Sequence, residues 1–101
     1  PLWRPGPEEA ARTQLARFMA RMGEAAGRSF ADSRAFHAFT VENREVFWSA
    51  VWDEFGVAGE KGARALADDR MPGARFFPDA RLNFAENLLR RNDDGLAIVF
   101  R

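Results

Sequence analysis

One histidine, His37, one lysine, Lys61, and no cysteine leave this chain a narrow choice of side-chain chemistry. Disulfides, thiolate metal sites and a cysteine nucleophile are excluded by composition. His37 stands between Phe36 and Phe39 with no second His or Cys to complete a metal set or a nucleophile–base pair, so a structural place on a helix is expected for it. The glycines from Gly56 to Gly62 surround Lys61 in the manner of a phosphate loop. However, Gly59-Glu60-Lys61-Gly62 lacks both the four-residue spacer and the Ser or Thr after Lys that would bind magnesium. It reads as a flexible loop. Asp68-Asp69 and Asp93-Asp94 are adjacent carboxylates, but neither pair has the apolar wall that would raise one pKa for acid–base work, and both read as solvated turns. Asn83 and Asn87 lie one helical turn apart and could share a ligand, except that Asn83 is placed to cap a helix. No catalytic, cofactor-binding or metal-ligating residue is predicted.

Charge removes further classes. Fifteen basic and fifteen acidic residues cancel over 101 positions, so there is no long-range field to draw in phosphate backbones or anionic lipid. No apolar run approaches the roughly 18 residues of a membrane span, and the start, Pro1-Leu2-Trp3-Arg4-Pro5, has no basic stretch followed by an apolar one. Nucleic acid and membrane are not expected partners, and the reading is cytoplasmic. Ten Phe and three Trp with no Tyr point instead to aromatic packing that needs no hydroxyl partner.

The elements that must hold these residues are mainly helical. Pro7 suits a first helical position and Glu8 and Glu9 the positive end of the dipole, so a helix is predicted over 7–22, with Ala11, Leu15, Phe18, Met19 and Met22 on one stripe and Gly23 as its stop. Asp32 or Ser33 caps a second, short helix carrying Phe36, Phe39 and Val41. Asn43 caps a third, whose Phe47, Trp48, Val51, Trp52 and Phe55 form the strongest stripe in the sequence before Gly56 ends it. Residues 57–79 carry Gly59, Gly62, Pro72, Gly73 and Pro78 and read as a long irregular connector with one helical turn at 63–68. Within it, Phe76 and Phe77 must tuck against something, in this chain or outside it. Asn83 followed by Glu86 is a capping box for a fourth helix, with Phe84, Ala85, Leu88 and Leu89 facing inward and Arg90 and Arg91 at its negative end.

After the turn Asn92-Asp93-Asp94-Gly95 comes Leu96-Ala97-Ile98-Val99-Phe100, a continuous apolar run that reads as a buried strand. A strand without a neighbour leaves its backbone groups unpaired. The expected fold is therefore mainly α: about four short helices, a long connector, and a C-terminal orphan β-strand belonging to a larger α/β domain further along a longer polypeptide. The division expected is a helical segment over 1–95 and the first strand of the large domain over 96–101.

Arg70-Met71-Pro72-Gly73-Ala74-Arg75-Phe76-Phe77-Pro78 and Ala80-Arg81-Leu82-Asn83-Phe84-Ala85-Glu86-Asn87-Leu88-Leu89 resemble the N-terminal region of acetoacetyl-CoA synthetases. Leu2-Trp3-Arg4-Pro5 is similar to that family's opening, and the segment from Asn43 through Phe47-Trp48-Ser49-Ala50-Val51-Trp52 to Asp53 to its following helix. Related acetyl-CoA synthetases share a similar Phe-Trp helix. One departure is visible: Arg44 follows Asn43 where many relatives have Pro. The resemblance implies a full-length ligase of the adenylate-forming group that uses ATP, magnesium and coenzyme A, with its phosphate loop and catalytic lysine beyond residue 101. Lys61 is not that lysine. It also implies that this region is a cap without catalysis or cofactors of its own, packed on the large adenylating domain of the same chain. The expected contact surface is Phe47, Trp48, Val51, Trp52, Phe55, Phe76 and Phe77.

Two other readings compete with this one. A freestanding helical interaction module would present its aromatic stripe to a partner. A helix-turn-helix nucleic-acid binder would need a basic helix face, which the acids of the third helix deny. Alone, the segment is expected to self-associate through its apolar surface.

Overall fold

The computed structural model describes residues 2–101. In chain order its elements are α1 (Pro7–Ala11), α2 (Gln14–Ala26), α3 (Ser33–Glu42), α4 (Arg44–Glu54), β1 (Leu66–Asp68), β2 (Arg75–Phe76) and α5 (Phe84–Leu88).

The helix expected over 7–22 is two helices. Thr13 divides them: its hydroxyl donates to the Ala10 carbonyl at 2.8 Å and accepts from the Ala16 N–H at 3.1 Å, so it closes α1 and caps α2. The second helix then passes Gly23 and ends at Gly27, whose φ of 63° is the left-handed stop. Gly23 is buried inside α2 instead, where a Cβ would lie 2.5 Å from the Arg28 carbonyl oxygen. Asp32 caps α3 as expected, accepting from the Ala35 N–H at 2.8 Å. Asn43 precedes α4 but does not cap it. Its amide donates backward to the Phe39 carbonyl at 3.0 Å and so serves the end of α3.

Phe18 and Met22 from α2 and Phe36 and Phe39 from α3 are the buried core, with Met19, Phe30, Phe47, Ala50 and Val51 packed around them. Phe18 and Phe36 meet edge to face, their centroids 6.0 Å apart, a geometry that suits the ring quadrupoles. The Arg28 guanidinium lies over Phe30 and Phe39 at 5.2 and 5.4 Å. An Arg21–Glu54 ion pair ties α2 to the end of α4.

The long connector is more ordered than its glycines and prolines imply. Instead of a helical turn at 63–68, β1 pairs antiparallel with β2, matching Leu66 with Phe76 and Asp68 with Arg75 across an irregular register. The hairpin wins because it brings Phe76 and Phe77 back onto α4, whereas a lone helical turn would leave both in water. A second antiparallel bridge joins Glu60 to Arg81.

The whole is open. Its radius of gyration is 17.2 Å, against about 13 Å for a compact chain of this length. The run at 96–100 has no strand partner among the described residues and takes no regular structure; Leu96, Ile98 and Phe100 are 89, 87 and 97 % exposed.

Candidate functional site

The aromatic stripe of α4 is divided between two jobs. Phe47 and Val51 turn into the core of α2 and α3, and Phe47 sits 6.1 Å from Phe18 and 6.3 Å from Phe36. Phe55 approaches Phe18 at 6.3 Å but stays half exposed. Trp48 packs on Phe76 at 5.8 Å and Trp52 on Phe77 at 5.1 Å. The something against which the Phe76-Phe77 pair tucks is thus in this chain, and α4 is the wall shared by the helical core and the hairpin.

Polar groups fasten the same junction. Lys61 Nζ donates to both Asp53 carboxylate oxygens, at 2.7 and 2.8 Å, and to Ser49 Oγ at 3.0 Å, on the floor of an open groove that Arg64 and Phe77 also line. A serine beside a lysine suggests nucleophilic chemistry. Here all three ammonium protons already have acceptors, so the trio is a brace between α4 and the loop. The loop is no phosphate cradle either: the Glu60 N–H donates to the Arg81 carbonyl at 2.8 Å and the Arg81 N–H to the Glu60 carbonyl at 2.9 Å.

Arginines hold four of the aspartates, Asp68, Asp69, Asp79 and Asp93. Both oxygens of Asp68 accept from the Arg70 guanidinium, which with the Arg70 backbone N–H holds this carboxyl below its ordinary range. Arg64 bonds Asp79 through both oxygens at 2.9 Å and lowers its pKa likewise, while Arg91, helped by the Gly95 N–H, lowers that of Asp93. Asp69 pairs with Arg44 at 3.3 Å. A carboxyl with a depressed pKa is a poor general acid at neutral pH. His37 is exposed on α3.

Around α5 the structure supplies what the sequence pattern did not. Asn83 caps it as expected, accepting from the Ala85 and Glu86 N–H groups. Asn87 Oδ1 accepts from the Ala58 N–H at 2.8 Å, and its Nδ2 donates to the carbonyls of Ala58 at 2.8 Å and Asn83 at 2.9 Å. Arg90 does not serve its own helix; it reaches back to the Phe55 and Gly56 carbonyls, both at 2.9 Å, at the negative end of α4. With Asn87 turned onto the chain, the residues expected to face inward face out: Phe84, Leu88 and Leu89 are 76, 67 and 72 % exposed. The i, i+4 spacing of Asn83 and Asn87 was a visible signal, but their backbone acceptors are not encoded locally. Asn87→Ala is expected to lower the stability of the α5 junction by about 1–3 kcal/mol, because the half-buried Ala58 amide loses its partner. Faster hydrogen exchange at the Ala58 amide would report it.

Residues 33–88, from α3 through α5, match the family described as the acetyl-coenzyme A synthetase N-terminus. The chain belongs to this family. An acetoacetyl-coenzyme A synthetase of Rhizobium meliloti (strain 1021) is 55% identical over 102 residues, covering 100% of this chain and 16% of that protein. The acetoacetyl-CoA synthetase of Macaca fascicularis is 29% identical, covering 93% of this chain and 14% of its own length. Among solved structures, acetoacetyl-CoA synthetase from Streptomyces lividans superimposes with a TM-score of 0.76 at 38% identity, over 85% of this chain and 14% of that one. The chain therefore spans about one-sixth of the length of such relatives. The acetyl-coenzyme A synthetase N-terminus segment begins at Ser33, yet half of the buried core, Phe18 and Met22, comes from α2 before it. In this family member α2 completes the packing of α3 and α4.

Proposed function

We propose that this chain is the N-terminal part of an AMP-forming acetoacetate–CoA ligase. The full-length protein joins acetoacetate to ATP as an acyl-adenylate with release of diphosphate, then passes the acyl group to the thiol of coenzyme A with release of AMP. The observation that carries this reading is the 55% identity over the whole chain with the acetoacetyl-coenzyme A synthetase of Rhizobium meliloti. Magnesium, ATP and coenzyme A bind elsewhere in the longer polypeptide, and the enzyme is cytoplasmic.

The role assigned to residues 1–95 is a non-catalytic cap on the large adenylating domain, with 96–101 as that domain's first strand. Of the aromatic surface expected to meet the domain, Phe47, Val51, Trp52 and Phe77 are engaged within the chain, so outside contact falls to the exposed edges of Trp48, Phe55 and Phe76.

The test is an assay of the full reading frame with ATP, magnesium, coenzyme A and either acetoacetate or acetate. Acetoacetyl-CoA, AMP and diphosphate formed preferentially from acetoacetate support the proposal. A preference for acetate moves the protein to the acetyl-CoA synthetases, and no thioester from either acid removes the ligase reading.

A further inference from the structure

α5 is an amphipathic helix mounted the wrong way round for a free-standing chain. Its polar Asn87 is hydrogen-bonded to Ala58 of the preceding loop, and Arg90 adds a second polar tie just beyond the helix. Its apolar side, Phe84 and Leu88 one turn apart with Leu89 beside them, is 67–76 % exposed. A helix normally buries the apolar stripe and leaves the polar one wet. Seven positions beyond Leu89, the apolar run at 96–100 begins, and it is exposed as well.

The amount of bare surface is as telling as its place. The chain exposes 8743 Å² at a mass of 11.4 kDa, where a compact protein of that mass exposes about 5,800 Å². The excess is several times the roughly 800 Å² that one partner contributes to a standard interface.

We infer that the polypeptide following residue 101 seats on the apolar face of α5, formed by Phe84, Leu88 and Leu89, and continues over the 96–100 run, which makes this face the principal seat of the large domain. The inference rests on the cap reading and moves its centre away from the α4 stripe, most of which is already spent. The occupant is the same polypeptide because this chain covers only 14–16% of the length of its synthetase relatives, and because the bare face runs directly into the run that leads toward it.

The experiment uses the full-length protein, comparing wild type with Leu88→Asp and the milder Leu88→Ala by hydrogen exchange, with solution mass and ligase activity measured on the same samples. In wild type the amides of 84–100 are expected to exchange roughly a hundredfold or more slowly than an open chain. Leu88→Asp should speed them about tenfold or more while α2 and α3 keep their protection. Open-chain exchange of 84–100 in wild type overturns the inference, and so does slow exchange that Leu88→Asp leaves unchanged. Protection that appears only at twice the chain mass and fades on dilution assigns the face to a second copy instead. Slow exchange in a protein that forms no CoA thioester defeats the ligase reading alone.

Discussion

Phe36→Ala is expected to lower the local stability of the α2–α4 unit by about 3–5 kcal/mol, the range for removing a buried aromatic ring from a packed core. Phe36 is 5% exposed and its ring is shared by three neighbours: Phe18 at 6.0 Å, Phe30 at 5.1 Å and Phe47 at 6.3 Å. Those three come from α2, from the segment before α3, and from α4, so Ala at this position opens a void where three elements meet. The core has only four buried members among the described residues, so little is left to collapse into the space. Hydrogen exchange in the full-length protein gives the readout. The slowest amides of α2 and α3 should exchange roughly a hundredfold or more faster than in wild type. A change confined to a few residues around position 36 would mean that the unit does not open cooperatively, and that the core is not what joins α2 to α4.

Much of the helical half was legible because helix signals are local. Asp32 and Asn83 as caps each lie within a few residues of the groups they satisfy, and the Phe47-to-Phe55 repeat shows its helical period within α4 itself. The departures have two causes, a partner distant in sequence and a competing local bond. Thr13 breaks a helix that the apolar stripe alone would carry through, because its hydroxyl offers the backbone a better local bond. The hairpin at 66–76 depends on Trp48 and Trp52, which lie some twenty residues earlier and which no periodicity within 57–79 can reveal. The orientation of α5 departs from the sequence expectation because the usual rule sends apolar residues toward the nearest core, and this helix turns them toward a surface the chain itself does not cover. A broken amphipathic rule leaves an apolar face bare, and that bare face is where the contact inferred above is placed.

Gly59→Ala is expected to cost about 2–6 kcal/mol, combining a backbone conformation that side chains rarely adopt with a clash against backbone atoms. Gly59 has φ 145°, and a Cβ there would lie 2.6 Å from the Arg81 carbonyl oxygen and 2.8 Å from Leu82 Cβ. The close approach is needed because Glu60 and Arg81 exchange two backbone hydrogen bonds in the next position, drawing the strands of the loop together. That pairing in turn sets Leu82 and Asn83 at the start of α5, so the damage should spread to the Asn87–Ala58 clamp. Gly73→Ala separates the two causes: its φ of 109° is also one that side chains rarely adopt, but beyond its chain neighbours no atom lies within 4 Å of the added Cβ. In the full-length protein, exchange at the Glu60 and Arg81 amides should rise far more for Gly59→Ala than exchange in the 66–76 hairpin rises for Gly73→Ala. Equal effects would show that backbone strain alone matters and that the loop has room to spare. The segment that looked flexible for its glycines is then rigid because of them, since only a residue without a side chain lets the 59–62 loop lie against 79–82 and carry α5 into place.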